Sequence, residues 1–343
     1  MSNANKLIGF LAIIILIGCN TKDGNTEGIL TSKDFYKGTS SLKMEFLPNS
    51  PPKEIYEESE FILGISLGND GAYDIKEGIL TLGVESDYIR LPELDKAEKW
   101  RTDIDNSVQI DSNKLGFGLK GKDIYTPMGE QGNIFLALEA KKLASQSQAL
   151  KSNIAATACY TYKTTAVSTV CIDTDITNTH FGEKGCVVKD IAMDSQGAPV
   201  AVTAINYKML PRGPNFVKPE FIITIENKGN GEVIYPDDRI ISALCGKGEM
   251  PSDIREQQLI FNVVIMKVFL SRGIDRPLKC SPSSSDGYTS LIRLKEGKGI
   301  ARCTLEEGVD AREGTFTTPL QIVVDYGYTS TISQEVLIKK PEK

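Results

Sequence analysis

The sequence predicts an all-β fold made of two tandem antiparallel β-sandwich domains. The first observation is an alternating apolar strand that runs into an Asn-x-Gly turn at 61–71 and occurs again at 221–229. The second is a series of short apolar runs separated by Gly, Pro, Asn and Asp, which is typical of antiparallel sandwiches. The third is the scarcity of helical periodicity. Together these observations indicate a β domain that occurs twice in the chain as an internal repeat.

The two copies align over several strands. Asn69 and Gly71 match Asn227 and Gly229, which lie 158 residues further along the chain. At this offset the inward positions Leu63, Ile65 and Leu67 fall on Phe221, Ile223 and Ile225, and Leu42, Met44 and Phe46 fall on Val200, Val202 and Ala204. A further match, 166 residues apart, relates Tyr160, Tyr162, Thr165, Val170 and Ile172 to Tyr326, Tyr328, Thr331, Val336 and Ile338.

The first residues predict an export signal. Lys6 precedes an apolar run at 7–17, which is too short to span a bilayer. The run ends in Leu-Ile-Gly-Cys, which resembles the cleavage and lipidation motif of prokaryotic lipoproteins, with Cys19 as the acylated residue. An uncleaved membrane anchor is the alternative. In both cases the rest of the chain lies outside the membrane, attached to it through its N-terminus.

The remaining boundaries follow from composition. We expect a signal peptide at 1–18, a polar tether at 19–40, a first sandwich at 41–173, a polar linker at 174–185 and a second sandwich at 186–343.

Alternation and turn residues give the predicted elements in chain order. In the first half we expect strands at 41–46, 60–68, 79–84, 115–119, 134–143, 154–162 and 167–172. In the second half we expect strands at 200–207, 220–226, 233–235, 239–244, 259–270, 290–294, 299–304, 320–326 and 333–338. Residues 163–166 are expected to close a hairpin between the last two strands of the first half. Ser252 can cap a short helix at 252–258.

Six of the seven cysteines remain after Cys19 is set aside. None forms a Cys-x-x-Cys pair, so three disulfides in an oxidising compartment are favoured over metal ligation or buried free thiols. The predicted pairs are Cys280–Cys303 on neighbouring strands, Cys159–Cys171 across the expected hairpin, and Cys186–Cys245. The alternative joins Cys171 to Cys186 and Cys159 to Cys245.

The repeated strand, Asn-x-Gly turn and following apolar strand resemble the CARDB-type, immunoglobulin-like domains that occur in tandem on secreted archaeal and bacterial surface proteins. The resemblance covers both halves of the chain. It implies a surface lipoprotein with a stalk, adhesion or assembly role and without catalysis. The long excursions after Asp87 and Cys245 depart from a compact module of this kind.

No stretch of the sequence predicts a catalytic residue, a cofactor site or a metal site. The glycine pattern at 116–121 lacks the following helix that a dinucleotide site needs. His180 is the one histidine, and it lies in the polar linker. The loop acids, such as Asp103 and Asp237, lack the spacing of a calcium loop. A net charge of −6 argues against nucleic acid as a partner.

Two classes of function remain from the sequence. The first is a lipid-anchored structural or interaction protein of the cell surface whose partner is an envelope or surface protein. The second is an extracytoplasmic lipoprotein that binds a soluble carbohydrate or peptide. A deep pocket with convergent polar groups would favour the second class.

Overall fold

A computed structural model describes residues 36–92, 100–177, 183–246 and 248–341. Cys19, His180, the whole leader and most of the tether lie outside the described residues. The all-β sandwich fold is confirmed, because strands in three hydrogen-bonded sheets make up most of the described chain.

The first half contains ten strands. They are β1 (Leu42–Phe46), β2 (Glu54–Tyr56), β3 (Glu60–Asn69), β4 (Ile75–Val84), β5 (Ile89–Arg90), β6 (Trp100–Thr102), β7 (Ser107–Asp111), β8 (Lys114–Leu119), β9 (Gln131–Ala140) and β10 (Ala149–Ile172).

The described residues of the second half form eleven strands and two short helices. They are β11 (Ile191–Ala192), β12 (Val200–Arg212), β13 (Phe216–Asn227), β14 (Glu232–Ile234), α1 (Asp238–Cys245), α2 (Ile254–Gln258), β15 (Val263–Arg272), β16 (Ile274–Pro277), β17 (Lys279–Ser281), β18 (Ser290–Arg293), β19 (Lys298–Thr304), β20 (Val309–Asp310) and β21 (Phe316–Lys339). A single 3₁₀ turn, Ala311–Glu313, precedes the last strand.

Each half has its own small sheet, and the two halves share a large one. The first small sheet runs β1-β3-β9-β5, with β6 also paired to β9. The second runs β11-β12-β13-β19-β17, with β20 paired to β13. The shared sheet runs β16-β15-β21-β10-β4-β8-β7. Strands of both halves therefore lie side by side in one sheet.

The centre of the shared sheet corrects the predicted hairpin at 163–166. β10 and β21 each run unbroken for 24 residues and pair antiparallel along their whole length, from Ala149 opposite Lys339 to Ile172 opposite Phe316. Residues 163–166 read Lys-Thr-Thr-Ala, without the Gly, Asn or Pro that a turn requires, and threonine favours the extended backbone. The expected break at 327–332 is absent as well, because β21 continues through Gly327 and the residues that follow it.

Alternation along β10 places the core on one side of the shared sheet. Its even-numbered side chains, among them Ile154, Ala158 and Ile172, are buried, whereas the odd-numbered ones are mostly partly exposed. One continuous cluster of buried apolar side chains extends through both halves of the protein. The division into domains at 41–173 and 186–343 stays a prediction, but the two halves share a core.

The halves are also interlocked at the far end of the shared sheet. β2 of the first half pairs in parallel with the end of β21, where Ile55 lies opposite Ile338. The side-chain amide of Gln334 donates to the Pro51 carbonyl at 3.2 Å. A strand of the first half thus pairs directly with the last strand of the second half.

The predicted strand at 239–244 is wrong, because this segment forms helix α1. The side chain of Asp237 caps the helix by accepting a hydrogen bond from the Arg239 backbone N–H at 2.8 Å. Ile241 and Cys245, four residues apart, are buried on one face of the helix. This face packs on the outer side of the shared sheet, against Ile79 and Cys159 of the first half.

The disulfides join Cys159 to Cys245, Cys171 to Cys186 and Cys280 to Cys303. The last pair is the predicted one, and its cysteines lie opposite each other on β17 and β19.

The predicted pairs Cys159–Cys171 and Cys186–Cys245 are wrong, and the alternative pairing is the observed one. Cys159 and Cys171 lie on the same unbroken strand, twelve residues and about 40 Å apart, so they cannot meet. Cys245 instead ends the helix that packs on Cys159, and Cys186 follows the linker back to the end of β10. Both of these bridges connect the first half to the second.

Candidate functional site

Four tyrosines occupy the centre of the shared sheet, on its core side. Tyr160 and Tyr162 of β10 lie opposite Tyr328 and Tyr326 of β21. The centroids of neighbouring rings are 6.0 to 6.3 Å apart, in tilted and edge-to-face arrangements. None of the four residues is more than 4% exposed. This tyrosine quartet is therefore part of the core and not an open platform for a sugar.

The first Asn-x-Gly turn is held by one member of the quartet. The Tyr162 hydroxyl donates to Asn69 Oδ1 at 3.3 Å and accepts from the Tyr73 backbone N–H at 3.1 Å. Asn69 also accepts from the Gly71 N–H at 3.2 Å. A Cβ atom at Gly71 would overlap the Tyr162 hydroxyl, so the turn requires glycine here.

The second turn repeats this arrangement. The Tyr328 hydroxyl donates to Asn227 Oδ1 at 3.2 Å and accepts from the Gly231 N–H at 2.8 Å. Asn227 accepts from the Gly229 N–H at 3.2 Å, and a Cβ atom at Gly229 would overlap the Tyr328 hydroxyl. Both copies of the repeated sequence therefore contain the same hydrogen-bond arrangement, in which a tyrosine hydroxyl holds the Asn-x-Gly turn.

The other two tyrosines of the quartet bind the backbone at the first strand of each repeat. The Tyr160 hydroxyl accepts from the Leu42 N–H at 3.4 Å, and the Tyr326 hydroxyl accepts from the Val200 N–H at 3.4 Å. Leu42 and Val200 are equivalent at the 158-residue offset. Burial raises the pKa of all four quartet hydroxyls above the ordinary tyrosine value.

An open groove crosses the outer side of the shared sheet at the same level as the quartet. Thr161 and Lys163 of β10 and Asp325 of β21 lie on its two central strands. Lys76 of β4 lines it on one side and Lys267 of β15 on the other, because β4 and β15 flank the β10–β21 pair. The volume of this central groove is about 700 Å³.

The central groove is lined by three lysines and two aspartates. Lys163 pairs with Asp325 at 3.3 Å, and the Asp74 carboxylate accepts the Gly121 N–H at 2.8 Å. Within the described ranges, Lys76 and Lys267 are exposed and have no anionic partner. Two unpaired ammonium groups thus lie on opposite sides of a groove in a protein whose net charge is −6. This arrangement is suited to a ligand that carries carboxylates.

The loop acids serve the local structure. Asp237 caps α1, Asp173 pairs with Lys184 at 2.6 Å, and Asp103 Oδ1 accepts the Asn133 N–H at 2.5 Å. Over the ranges that the structure describes, no three His, Cys, Asp or Glu side chains come together in a way that could hold a metal ion. Among the same residues, no helix has the length and apolar character needed to cross a membrane.

Sequence reasoning missed the central groove. Its lining comes from β4, β10, β15 and β21 and from three loops, and these segments are separated by up to about 250 residues in the chain. Each lysine alone looks like an ordinary exposed residue on a strand. Only the β10–β21 pairing, which the predicted hairpins excluded, brings them to one surface.

Fold and site define a class: a disulfide-linked, all-β sandwich protein with a lysine-lined groove on its shared sheet. No family model matches this chain, and no curated protein matches its sequence. Similar solved structures include the partial N-terminal region of an enterococcal surface protein, at 8% identity and a TM-score of 0.19 over 84% of each chain. Another is the CupB6 tip adhesin from Pseudomonas aeruginosa, at 9% identity and a TM-score of 0.15 over 89% of this chain and 100% of that chain. TM-scores this low carry no argument about function.

Proposed function

We propose that this protein is a lipid-anchored structural or interaction protein on the extracytoplasmic face of the cell membrane, without catalytic activity. The observation that carries the proposal is the set of three disulfides, which fits a chain that folds in an oxidising compartment. The predicted leader and Cys19 supply the anchor. The partner is an envelope or surface protein.

Rigidity supports the structural role. Strands of 24 residues that rise about 3.3 Å per residue make the shared sheet about 75 Å long. The common core, the β2–β21 pairing and the Cys159–Cys245 bridge keep the two sandwiches in one arrangement. Such a body can hold a binding surface at a fixed distance from the membrane.

The anchor is tested by replacing the predicted acylation site. Cys19→Ala should move the protein from the detergent phase to the aqueous phase in a Triton X-114 separation of whole cells, or leave the leader uncleaved. Thr21→Ala, which lies outside the motif, is the control and should partition like the wild type. Mass spectrometry that finds an unmodified Cys19 in mature, membrane-bound protein would contradict the anchor.

The central groove favours a second function, the binding of an acidic carbohydrate or peptide. Lys76 and Lys267 have no anionic partner among the described residues and face each other across a groove of about 700 Å³. A polyanionic ligand would bridge them, in contacts that salt weakens.

Calorimetric titration with oligogalacturonate and with polyglutamate tests this function. The double variant Lys76→Glu and Lys267→Glu should weaken binding about tenfold or more, because each reversed contact is worth on the order of 1 kcal/mol. The control double variant, Lys142→Glu and Lys295→Glu, makes the same change in net charge at exposed lysines outside the groove. Equal losses in the two variants, or no binding to the wild type, would exclude the groove as the site.

A further inference from the structure

The loop between β8 and β9 exposes three large apolar side chains. Ile124 is 62% exposed, Tyr125 is 86% exposed and Met128 is 67% exposed. Single apolar residues on a surface are common, but three within five residues of one loop mark a contact surface. We call these three residues the apolar tip.

The loop is held in its exposed shape by its own backbone contacts. Asp123 Oδ1 accepts the N–H groups of Tyr125 at 2.7 Å and Thr126 at 2.6 Å, and the Gly129 N–H donates to the Thr126 carbonyl at 2.9 Å. Gly129 has a φ of +72°, which favours glycine, and a Cβ atom there would overlap the Asn69 carbonyl. The apolar tip is therefore presented to solvent in an ordered conformation.

The apolar tip lies close to the point where the chain leaves toward Cys19. The Lys122 N–H donates to the Gly71 carbonyl at 2.8 Å, and the Asp70 N–H donates to the Ser41 carbonyl at 2.8 Å. Ser41 begins the first sandwich. The 22 residues from Cys19 to Ser41 can reach at most about 75 Å. A tether of this reach lets the lipid anchor and the apolar tip meet the same bilayer.

The charges around the loop do not favour an acidic or a basic partner. Lys120 and Lys122 lie near three carboxylates, because Lys122 lies 3.9 Å from Asp70, the Glu130 carboxylate accepts the Lys120 backbone N–H at 2.8 Å, and Asp123 accepts N–H groups of the loop itself. A contact made by Ile, Tyr and Met alone fits the interfacial region of a bilayer, where an amphipathic tyrosine is also favoured.

We propose that Ile124, Tyr125 and Met128 insert into the lipid interface of the membrane that holds the acylated N-terminus. The inference rests on the proposed lipid anchor. Insertion adds a second attachment point beside the tether and thereby fixes which side of the double sandwich faces the membrane. Because the contact is made by apolar side chains and no cluster of cations surrounds it, it should form on zwitterionic lipid and resist salt.

The test uses the full-length acylated protein reconstituted into phosphatidylcholine vesicles with brominated acyl chains. Tyr125→Trp places a second tryptophan at the apolar tip. The first, Trp100, is buried, with 7% of its surface exposed, and gives the background fluorescence in the wild type. Bromine should quench the added fluorescence. Ile274→Trp is the matched control, since Ile274 is 77% exposed on β16 of the second half, and its fluorescence should be unaffected.

Adding Ile124→Ser and Met128→Ser to the Tyr125→Trp protein should reduce the quenching, while Trp100 emission reports that the fold is intact. Equal quenching at positions 125 and 274, or none at 125 in protein that floats with the vesicles, would overturn the inference and leave the anchor standing. A blue shift at 125 without quenching would assign the apolar tip to a protein contact and also overturn it. Protein that does not float would overturn the proposed anchor and the inference together.

Discussion

Replacing Cys159 and Cys245 with serine should lower the free energy of unfolding by about 4 to 5 kcal/mol. The bridge closes a loop with a sequence separation of 86, and the loss of conformational entropy in the unfolded chain scales with the logarithm of that length. The exchange of sulfur for oxygen keeps the size of the buried side chains, so the packing of α1 changes little. Guanidinium titration followed by Trp100 fluorescence and circular dichroism measures the loss.

The Cys171–Cys186 bridge gives the matched control for this prediction. Its separation is 15, so the same substitution of both cysteines should lower the free energy of unfolding by about 3 kcal/mol. A loss at Cys159–Cys245 no greater than this would contradict the prediction. It would mean that the polar contacts of α1, from Thr81 Oγ1 to the Cys245 carbonyl and from Lys114 Nζ to the Gly246 carbonyl, hold the helix without the bridge.

Both variants should still unfold in one transition. β10 and β21 pair over 24 residues and carry the core of both halves, so neither half can lose its central strand alone. The proposed domains at 41–173 and 186–343 are thus coupled by a shared sheet.

The repeat was predictable from the sequence because equivalent residues have the same structural role in both halves. Asn69 and Asn227 were matched by their turns, and the structure gives them equivalent hydrogen bonds from Tyr162 and Tyr328. Inward positions such as Leu63 are buried as the alternation predicts. Periodicity and turn chemistry act locally, so they can be read without knowing the partners of each strand.

The pairing between strands was not predictable in the same way. A hairpin was predicted after Tyr162, whereas the structure has one strand of 24 residues, which is far longer than most strands. That error carried over to the cysteines, since Cys159 and Cys171 were placed opposite each other on a hairpin that does not exist. The central groove was lost for the same reason, because Lys76 and Lys267 meet only across the β10–β21 pair.

Helix α1 shows a different limit. The segment that follows Asp237 alternates poorly, yet Ile241 and Cys245 lie four residues apart as a helix requires. A stretch of eight residues is too short for periodicity to separate helix from strand, and here the capping side chain and the bridge to Cys159 select the helix.

The protein should unfold cooperatively in alkali, at a pH above the ordinary tyrosine pKa of about 10. Burial raises the pKa of Tyr160, Tyr162, Tyr326 and Tyr328, so the folded state keeps protons that the unfolded state loses. The stabilisation from these hydroxyls is fully present below pH 10 and is lost as the pH rises toward their folded pKa values. Together, the four hydroxyls lower the free energy of unfolding by up to about 5 kcal/mol for each pH unit in that range.

A stopped-flow pH jump that records tyrosinate absorbance and circular dichroism together measures this effect before the disulfides degrade. The quartet, four of the twelve tyrosines in the chain, should ionise only as the β-sheet signal disappears.

Tyr162→Phe should make the loss of stability with pH less steep. At neutral pH it should cost about 1 to 3 kcal/mol, because the Tyr73 N–H loses its acceptor. Tyr125→Phe, at an exposed position, should leave the alkaline midpoint unchanged. Ionisation of all twelve tyrosines near pH 10 with the sheet intact would contradict the burial of the quartet.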